Sequence, residues 1–240
     1  MASARIIKVK TSAGALDTHI FAGGVVPNHV CKYLNFTLGI YGGCLGGTMR
    51  LYYHEAVRRG FDIAIGQIIE VYEDDGDADP IYTGYVDESP LRAIGQGYHE
   101  YRFRGLWDKL AAVDMSTDVT LGSESADHPT VNTIGLAVKW LLDNRIVPAA
   151  VGVSYSAGDV VSATALTEKV IRQDIYEPIR SMGVMAEAAG TPFAYGVDAT
   201  GAFYFRASPA TVLATLTVGA NVSEGEERET PRPSNQIVLI

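Results

Sequence analysis

The sequence has little cysteine, a deficit of positive charge and no long hydrophobic segment. Its 240 residues include two cysteines, Cys31 and Cys44. This pair could bond to each other, but two cysteines are no disulfide framework and are more typical of buried free thiols. Lysine and arginine number 19 against 28 aspartates and glutamates, a net charge of −9. Nucleic-acid binding requires cations that neutralise phosphates, so we expect no sequence-specific nucleic-acid binding.

Membrane and secretion signals are also missing from the sequence. No window reaches the ~18 consecutive apolar residues that a membrane-spanning helix needs. The first ten residues, MASARIIKVK, lack the apolar core of a signal peptide. The sequence therefore predicts no membrane span and synthesis in the cytoplasm.

The residue patterns of common catalytic and metal sites are absent as well. The segment 152–156, Gly-Val-Ser-Tyr-Ser, begins like a nucleophile elbow but lacks its closing glycine, and the segment 122–126, Gly-Ser-Glu-Ser-Ala, fails likewise. The histidines are dispersed, whereas a zinc site needs three or four convergent ligands. They are His19, His29, His54, His99 and His128.

Two loop motifs likewise lack residues that their binding sites need. Three aspartates in residues 75–79 imitate the start of a calcium loop, but Pro80 stands where the loop needs glycine and Val86 where it needs glutamate. The glycine-rich residues 42–47 lack the Lys-Ser/Thr of a phosphate-binding loop and predict a flexible turn. We therefore predict no enzyme, with no catalytic residue, no cofactor and no metal ligand.

Short apolar runs separated by turn residues are typical of the first 113 residues. Strands are predicted over residues 5–10, 49–54, 67–72, 81–87 and 98–105, followed by a short helix over 106–112. An acidic connector joins the third and fourth of these runs, which is typical of a hairpin. Strands at this spacing, with no long helix between them, predict a small antiparallel barrel or sandwich.

The pattern changes after residue 114. Apolar residues from Val131 to Leu142 share one helical face after the Pro-Thr pair at 129–130, which predicts an amphipathic helix. A second helical run over 164–189 contains Pro178, so we expect a kink or two helices, the first ending near Tyr176. Residues 193–206 predict a tight hairpin. The middle of the chain is thus predicted as an α/β unit, not a continuation of the barrel.

Strand-like sequence returns near the C-terminus. Residues 212–218 and 235–240 each predict a strand, and the acidic residues 223–229 lie between them. The backbone of a terminal strand must pair with an edge in this chain or in another. The whole pattern predicts a mainly β fold with an α/β insertion.

Several segments occur in a characteristic order along the chain. Residues 61–72, an acidic tip, residues 81–87 and residues 101–107 follow one another, and a helix end at 186–190 precedes the hairpin at 195–205. This order resembles bacteriophage tail hub (baseplate hub or tail tip) proteins, and the first group of segments resembles their N-terminal barrel. The resemblance covers most of residues 40–206.

The resemblance implies a structural role in the virion tail, after synthesis in the host cytoplasm. Hub proteins form a homo-oligomeric ring, usually a trimer, in which two similar barrels per subunit imitate six-fold symmetry. The ring adapts the hexameric tail tube to the tip or spike, with distal tail proteins nearby. An acidic lining would let DNA slide, because it repels phosphates.

On this chain the resemblance implies three domains. Residues 1–113 are an N-terminal antiparallel β-barrel, 114–208 an α/β region with helices and a hairpin, and 209–240 the opening of a second β-barrel. The last 32 residues hold only one or two strands of a second barrel. We therefore expect a fragment, a sheet that partners complete, or a fold without the second barrel.

The sequence leaves three other functions open. A distal tail protein forms a related, hexameric ring. A carbohydrate-binding module on the tail tip would use the 13 tyrosines with Trp107 and Trp140 for stacking. A cell-wall hydrolase would need paired carboxylates such as Asp87 with Glu88, or Glu100, although adjacent strand residues point to opposite faces.

Overall fold

A computed structural model describes most of the chain. The described residues are 5–22, 31–52, 63–73, 77–88, 91–93, 97–113, 115–146, 148–149, 152–188, 192–208 and 237–238. The strands are β1 (Arg5–Lys10), β2 (Leu16–Ala22), β3 (Cys31–Gly39), β4 (Tyr41–Tyr52), β5 (Ile68–Tyr72), β6 (Tyr82–Val86), β7 (Leu91–Ala93), β8 (Tyr98–Gly105), β9 (Met115–Leu121), β10 (Ser154–Val160), β11 (Lys169–Gln173), β12 (Phe193–Val197), β13 (Ala202–Ala207) and β14 (Ile237–Val238). The helices are a 3₁₀ helix (Leu106–Ala112), α1 (Ile134–Leu141), which continues as a π-helical turn (Leu142–Ile146), and α2 (Tyr176–Glu187).

One curled sheet organises these elements. Its strand order is β10-β13-β12-β4-β8-β6-β5-β1-β2, with β3 also paired to β4, β7 to β8 and β14 to β3. The strands β2 and β3 approach each other to within 8 Å between Cα atoms, so the antiparallel part curls into a half-barrel. The predicted fold class, mainly β with an α/β insertion, is confirmed.

The long strand β4 joins the half-barrel to the α/β insertion. Along one edge it pairs with β3. Along the other, Gly47–Tyr52 pair antiparallel with β8, whereas Tyr41–Gly43 pair parallel with β12. The hairpin β12–β13 therefore extends the same sheet, and the prediction of an α/β unit that does not continue the barrel was wrong for these strands.

The described residues bury two apolar clusters. One lies in the half-barrel, where the alternating residues of β1, β5, β6 and β8 pack around Tyr82 and Phe103. The other lies between the helices and the strands β10, β12 and β13, around Trp107, Val138 and Phe203. The domain boundaries at residues 113 and 208 stay predictions, since β4 is common to both parts.

The first predicted helix is shorter than the apolar pattern. It begins at Ile134 because the Thr133 hydroxyl caps it, accepting a hydrogen bond from the Leu136 N–H at 3.3 Å. Val131 therefore precedes the helix. At the far end, the Asn144 side chain donates to the Trp140 carbonyl at 2.8 Å.

The second predicted helix was wrong over its first half. Lys169–Gln173 form strand β11, which pairs antiparallel with β9. The helix α2 begins only at Tyr176, and Pro178 is its third residue. The amide of such a residue has no partner inside the helix, so the proline neither kinks nor breaks it.

The glycine-rich segment 42–47 is not a turn but part of β4. Gly43 has a φ of 74° and lies against the backbone of β12, where a Cβ would meet the Val197 carbonyl oxygen at 2.0 Å. A Cβ on Gly47 would meet the Phe103 ring at 2.3 Å. The glycines are thus explained by close packing of strands and not by chain reversal.

Most of the other predicted strands and hairpins are confirmed, and the rest lie outside the described residues. Arg5–Lys10, the hairpin of β5 and β6, the strand β8, the 3₁₀ helix and the hairpin β12–β13 are confirmed. The C-terminal strand pairs within the chain, since Ile237 and Val238 face Leu38 and Thr37 of β3. The predicted strand 212–218, the acidic residues 223–229 and part of the acidic tip, 74–76, lie outside the described residues.

Among the described residues, no helix is both long and apolar enough to cross a membrane.

The two cysteines are free, as predicted, but only Cys44 is fully buried. Burial raises the pKa of both thiols to about 11. Because the thiolate is the reactive form, we expect Cys44 in a Cys31→Ser variant to react with a thiol reagent at pH 8 about 100-fold more slowly in the native protein than in urea. A native rate equal to the rate in urea would contradict the buried position of Cys44. In the Cys44→Ser variant, the measured reaction rate is that of Cys31 alone.

Candidate functional site

A cleft rich in tyrosine lies where β4, the 3₁₀ helix, α2 and β12 meet. Its volume is about 390 Å³, within the roughly 300–1,000 Å³ that is typical of ligand and anchor pockets. We call it the aromatic cleft, and its lining residues are Tyr41, Gly42, Leu45, Trp107, Tyr176, Arg180, Val184, Glu187 and Tyr195.

The floor of the aromatic cleft is a row of packed rings. Trp107 is 2% exposed, and its ring centroid lies 5.2 Å from that of Tyr176 and 5.6 Å from that of Tyr195. Tyr195 in turn lies 5.2 Å from the half-exposed Tyr41. Tilted rings at these distances are favourable beyond their burial, by about 0.5–1.5 kcal/mol a pair. The floor is therefore a rigid aromatic surface, open to solvent on the side of Tyr41.

The rim of the aromatic cleft is polar. The Tyr41 hydroxyl donates a hydrogen bond to Glu187 Oε1 at 3.1 Å and so ties β4 to α2. On the same helix, Arg180 Nη1 contacts Glu177 Oε1 at 3.4 Å. Burial and then Glu187 raise the pKa of Tyr41, and burial raises that of Tyr195. Both phenols therefore stay protonated at neutral pH, and a protonated phenol is a poor nucleophile.

A second concave surface lies between the start of α1 and the end of β10. We call it the apolar groove; its volume is about 300 Å³, and its lining residues are Thr133, Gly135, Leu136, Lys139, Val160, Val161, Ser162 and Ala163. Leu136 is 44% and Val161 54% exposed. The helix approaches closely because the Gly135 N–H donates to the Ser162 carbonyl at 3.1 Å.

The carboxylates considered for hydrolysis are each held by an arginine. Asp87 lies 2.7 Å from Arg104, and Arg102 lies between Glu88 at 3.7 Å and Glu100 at 3.5 Å. The structure thus brings Glu88 and Glu100 together, but as an ion-pair network.

The described residues of the remaining motifs make packing and hydrogen-bond contacts. Ser125, from the segment 122–126, is buried and donates to the Thr120 carbonyl at 2.7 Å. His128 packs against Trp140 with ring centroids 4.9 Å apart. In the part of the chain that the structure covers, no three histidine, cysteine, aspartate or glutamate side chains come close enough to hold a metal ion. His29 and His54 lie outside that part.

Sequence reasoning singled out none of the cleft residues as a group. The contact between Tyr41 and Glu187 joins positions 146 residues apart. Tyr41 belongs to no motif, and Glu187 lies within the helix end at 186–190 without a role of its own. The only available signal was the abundance of tyrosine and the presence of Trp107, which pointed to stacking surfaces in general.

This architecture, a curled and mainly antiparallel sheet with an α/β insertion, is similar to that of a phage tail protein. The 43 kDa tail protein of prophage MuSo2 from Shewanella oneidensis matches with a TM-score of 0.54 and 14% identity, over 92% of this chain and 59% of that chain. The tail protein of Neisseria meningitidis MC58 has a TM-score of 0.47 and 13% identity, over 84% of this chain and 50% of that one. This chain thus spans less than two thirds of either protein.

No protein-family model matches the sequence, and no curated protein matches it.

Proposed function

We propose that this chain is a structural component of a phage tail, a subunit of a hub ring that adapts the tail tube to the tip and lets DNA pass. The observation that carries the proposal is the likeness in fold to the MuSo2 tail protein over 92% of the chain. The order of segments along the sequence, which resembles the tail hub family, supports the same role.

The chemistry of the described surfaces fits assembly better than catalysis. The aromatic cleft combines tyrosine, tryptophan and arginine, the residue types that dominate the energetic centres of protein interfaces. The carboxylates Asp87, Glu88 and Glu100 are engaged by arginines. We therefore propose no enzymatic activity, and partners that are proteins: copies of the same chain, tail tube, distal tail and tip or spike proteins.

The net charge supports passage of DNA through the ring. A protein with a charge of −9 repels phosphates on average, whereas a basic lining would retain DNA through counterion release. The proposed place of action is the virion tail, after synthesis in the host cytoplasm.

Counting copies in the ring that the purified chain forms tests the proposal. We expect the purified chain, measured by mass photometry over a range of concentrations, to form a closed ring, a trimer, that averaged electron-microscopy images show end-on. The ring should bind the tail tube protein of the same phage. A monomer at all concentrations with no binding to tube or distal tail protein would refute the proposal. A hexameric ring would instead identify a distal tail protein.

A further inference from the structure

We infer that copies of this chain associate head to tail, with Leu136 and Val161, the exposed side chains beside the apolar groove of one copy, inserted into the aromatic cleft of the next. The inference rests on the proposed ring and names the two surfaces that build it. Three features support it: the two surfaces lie apart on the chain, both expose apolar side chains, and they carry charges of opposite sign, Glu187 and Lys139.

The two surfaces lie beside different strands of one sheet. Within this sheet a row of strands runs β10-β13-β12-β4, with the apolar groove beside β10 and the aromatic cleft beside β4. Two or three strand intervals separate β10 from β12 and β4, the strands that line the cleft, which is about 10–14 Å across the sheet. A contact between the groove of one copy and the cleft of the next joins two different surfaces, and such a head-to-tail contact generates a closed ring when the rotation between copies closes.

Both surfaces present apolar side chains to solvent. In the cleft, Val184 is 58% and Tyr41 39% exposed, above the buried ring of Trp107. In the groove, Leu136 and Val161 are similarly exposed, at 44% and 54%. Covering them would remove apolar area from water on both copies, which favours association. Aliphatic side chains over a rigid aromatic floor also match the usual centre of an interface.

The charges on the two surfaces are complementary. Glu187 lies at the rim of the aromatic cleft, and Lys139 lines the apolar groove. Among the residues that the structure describes, Glu187 accepts only the Tyr41 hydroxyl and Lys139 has no carboxylate within 4 Å. An ion pair between Lys139 of one copy and Glu187 of the next would satisfy both and fix the register of the contact.

Charge reversal tests the pairing in the full chain. We expect Glu187→Lys and Lys139→Glu each to weaken ring assembly about tenfold or more, because like charges then face each other across the contact. The double variant should return to within about threefold of the unchanged chain, since the pair is restored in reverse. Glu168→Lys, the same charge change at an exposed residue that lines neither surface, should leave assembly unchanged. Failure of the double variant to recover while its melting temperature is unchanged would overturn the inference.

Disulfide trapping tests the contact without removing any charge. Val184 and Val161 are both exposed, so cysteine at either position leaves the core intact. Under mild oxidation, the double variant Val184→Cys/Val161→Cys should give a ladder that ends at the ring size, and each single variant should not. A ring that forms with neither the ladder nor the charge effects would refute these surfaces and leave the proposed ring standing. A chain that stays monomeric would refute both.

Discussion

Replacing Gly43 by alanine is expected to lower the free energy of unfolding by about 3–5 kcal/mol, from left-handed backbone strain and from overpacking. At this position φ is 74°, and the new methyl carbon would lie 2.0 Å from the Val197 carbonyl oxygen. The backbone of β12 cannot yield without breaking its pairing with β4. Thermal unfolding followed by circular dichroism should show a melting temperature lower by about 10 °C or more.

Gly66→Ala is the matched control for this variant. Its φ of 84° is similarly left-handed, but no atom lies within 4 Å of the position a Cβ would take. We therefore expect only the conformational cost, about 1–2 kcal/mol. If the two variants lose the same stability, the close approach of β4 to β12 at Gly43 is wrong.

Trp107→Ala is expected to cost about 3–5 kcal/mol, because it deletes a buried ring and leaves a cavity that the neighbouring side chains fill only in part. Trp107 is 2% exposed and lies between Tyr176, Tyr195 and Phe203, at centroid distances of 5.2 to 6.0 Å. Urea unfolding measures the loss. The same variant removes the floor of the aromatic cleft, so ring assembly should weaken even at temperatures where the protein stays folded.

The other tryptophan provides the control. Trp140 is half-buried and contacts His128 and Arg145 at the surface of α1. Trp140→Ala should therefore cost about 1–2 kcal/mol, which is typical of a partly exposed position, and should leave assembly unchanged. Equal losses for both variants would contradict the central position of Trp107 in the second apolar cluster.

The parts of the fold that could be predicted from sequence are those encoded locally. The hairpin β12–β13 is an example, because the Asp198 carboxylate accepts from the N–H groups of Thr200 and Ala202 at 2.8 and 3.0 Å and so fixes the turn by itself. The hairpin of β5 and β6 was likewise predictable, since apolar runs flank an acidic connector. In both cases neighbouring residues supply the whole signal.

The errors have a common physical origin in partners that are distant along the chain. The apolar pair Val170 and Ile171 fits a helical or a strand period equally well, and only pairing with β9 decides between them. The glycine-rich sequence around Gly43 predicts a turn, because the sequence alone does not show that the Val197 backbone packs against it. Strand β10 is mostly exposed, so it lacks the apolar alternation that would predict a strand.

The candidate site was less predictable than the fold for the same reason. Tyr41, Trp107 and Glu187 come from three separate segments, and only the sheet order brings them together. Composition predicted that tyrosine would be available for contacts, but not where. The hydrolase hypothesis depended on carboxylates whose arginine partners come from β4 and β8, which no local pattern indicates.

The sharing of β4 between the half-barrel and the insertion has a mechanical consequence. Because β8 and β12 are hydrogen-bonded to successive stretches of one continuous strand, no hinge lies between the two parts along β4. Tension applied to the insertion is carried into the half-barrel as shear along these ladders, in which three residue pairs join β12 to β4 and six join β8 to β4. A subunit with such a stiff joint transmits displacement without absorbing it.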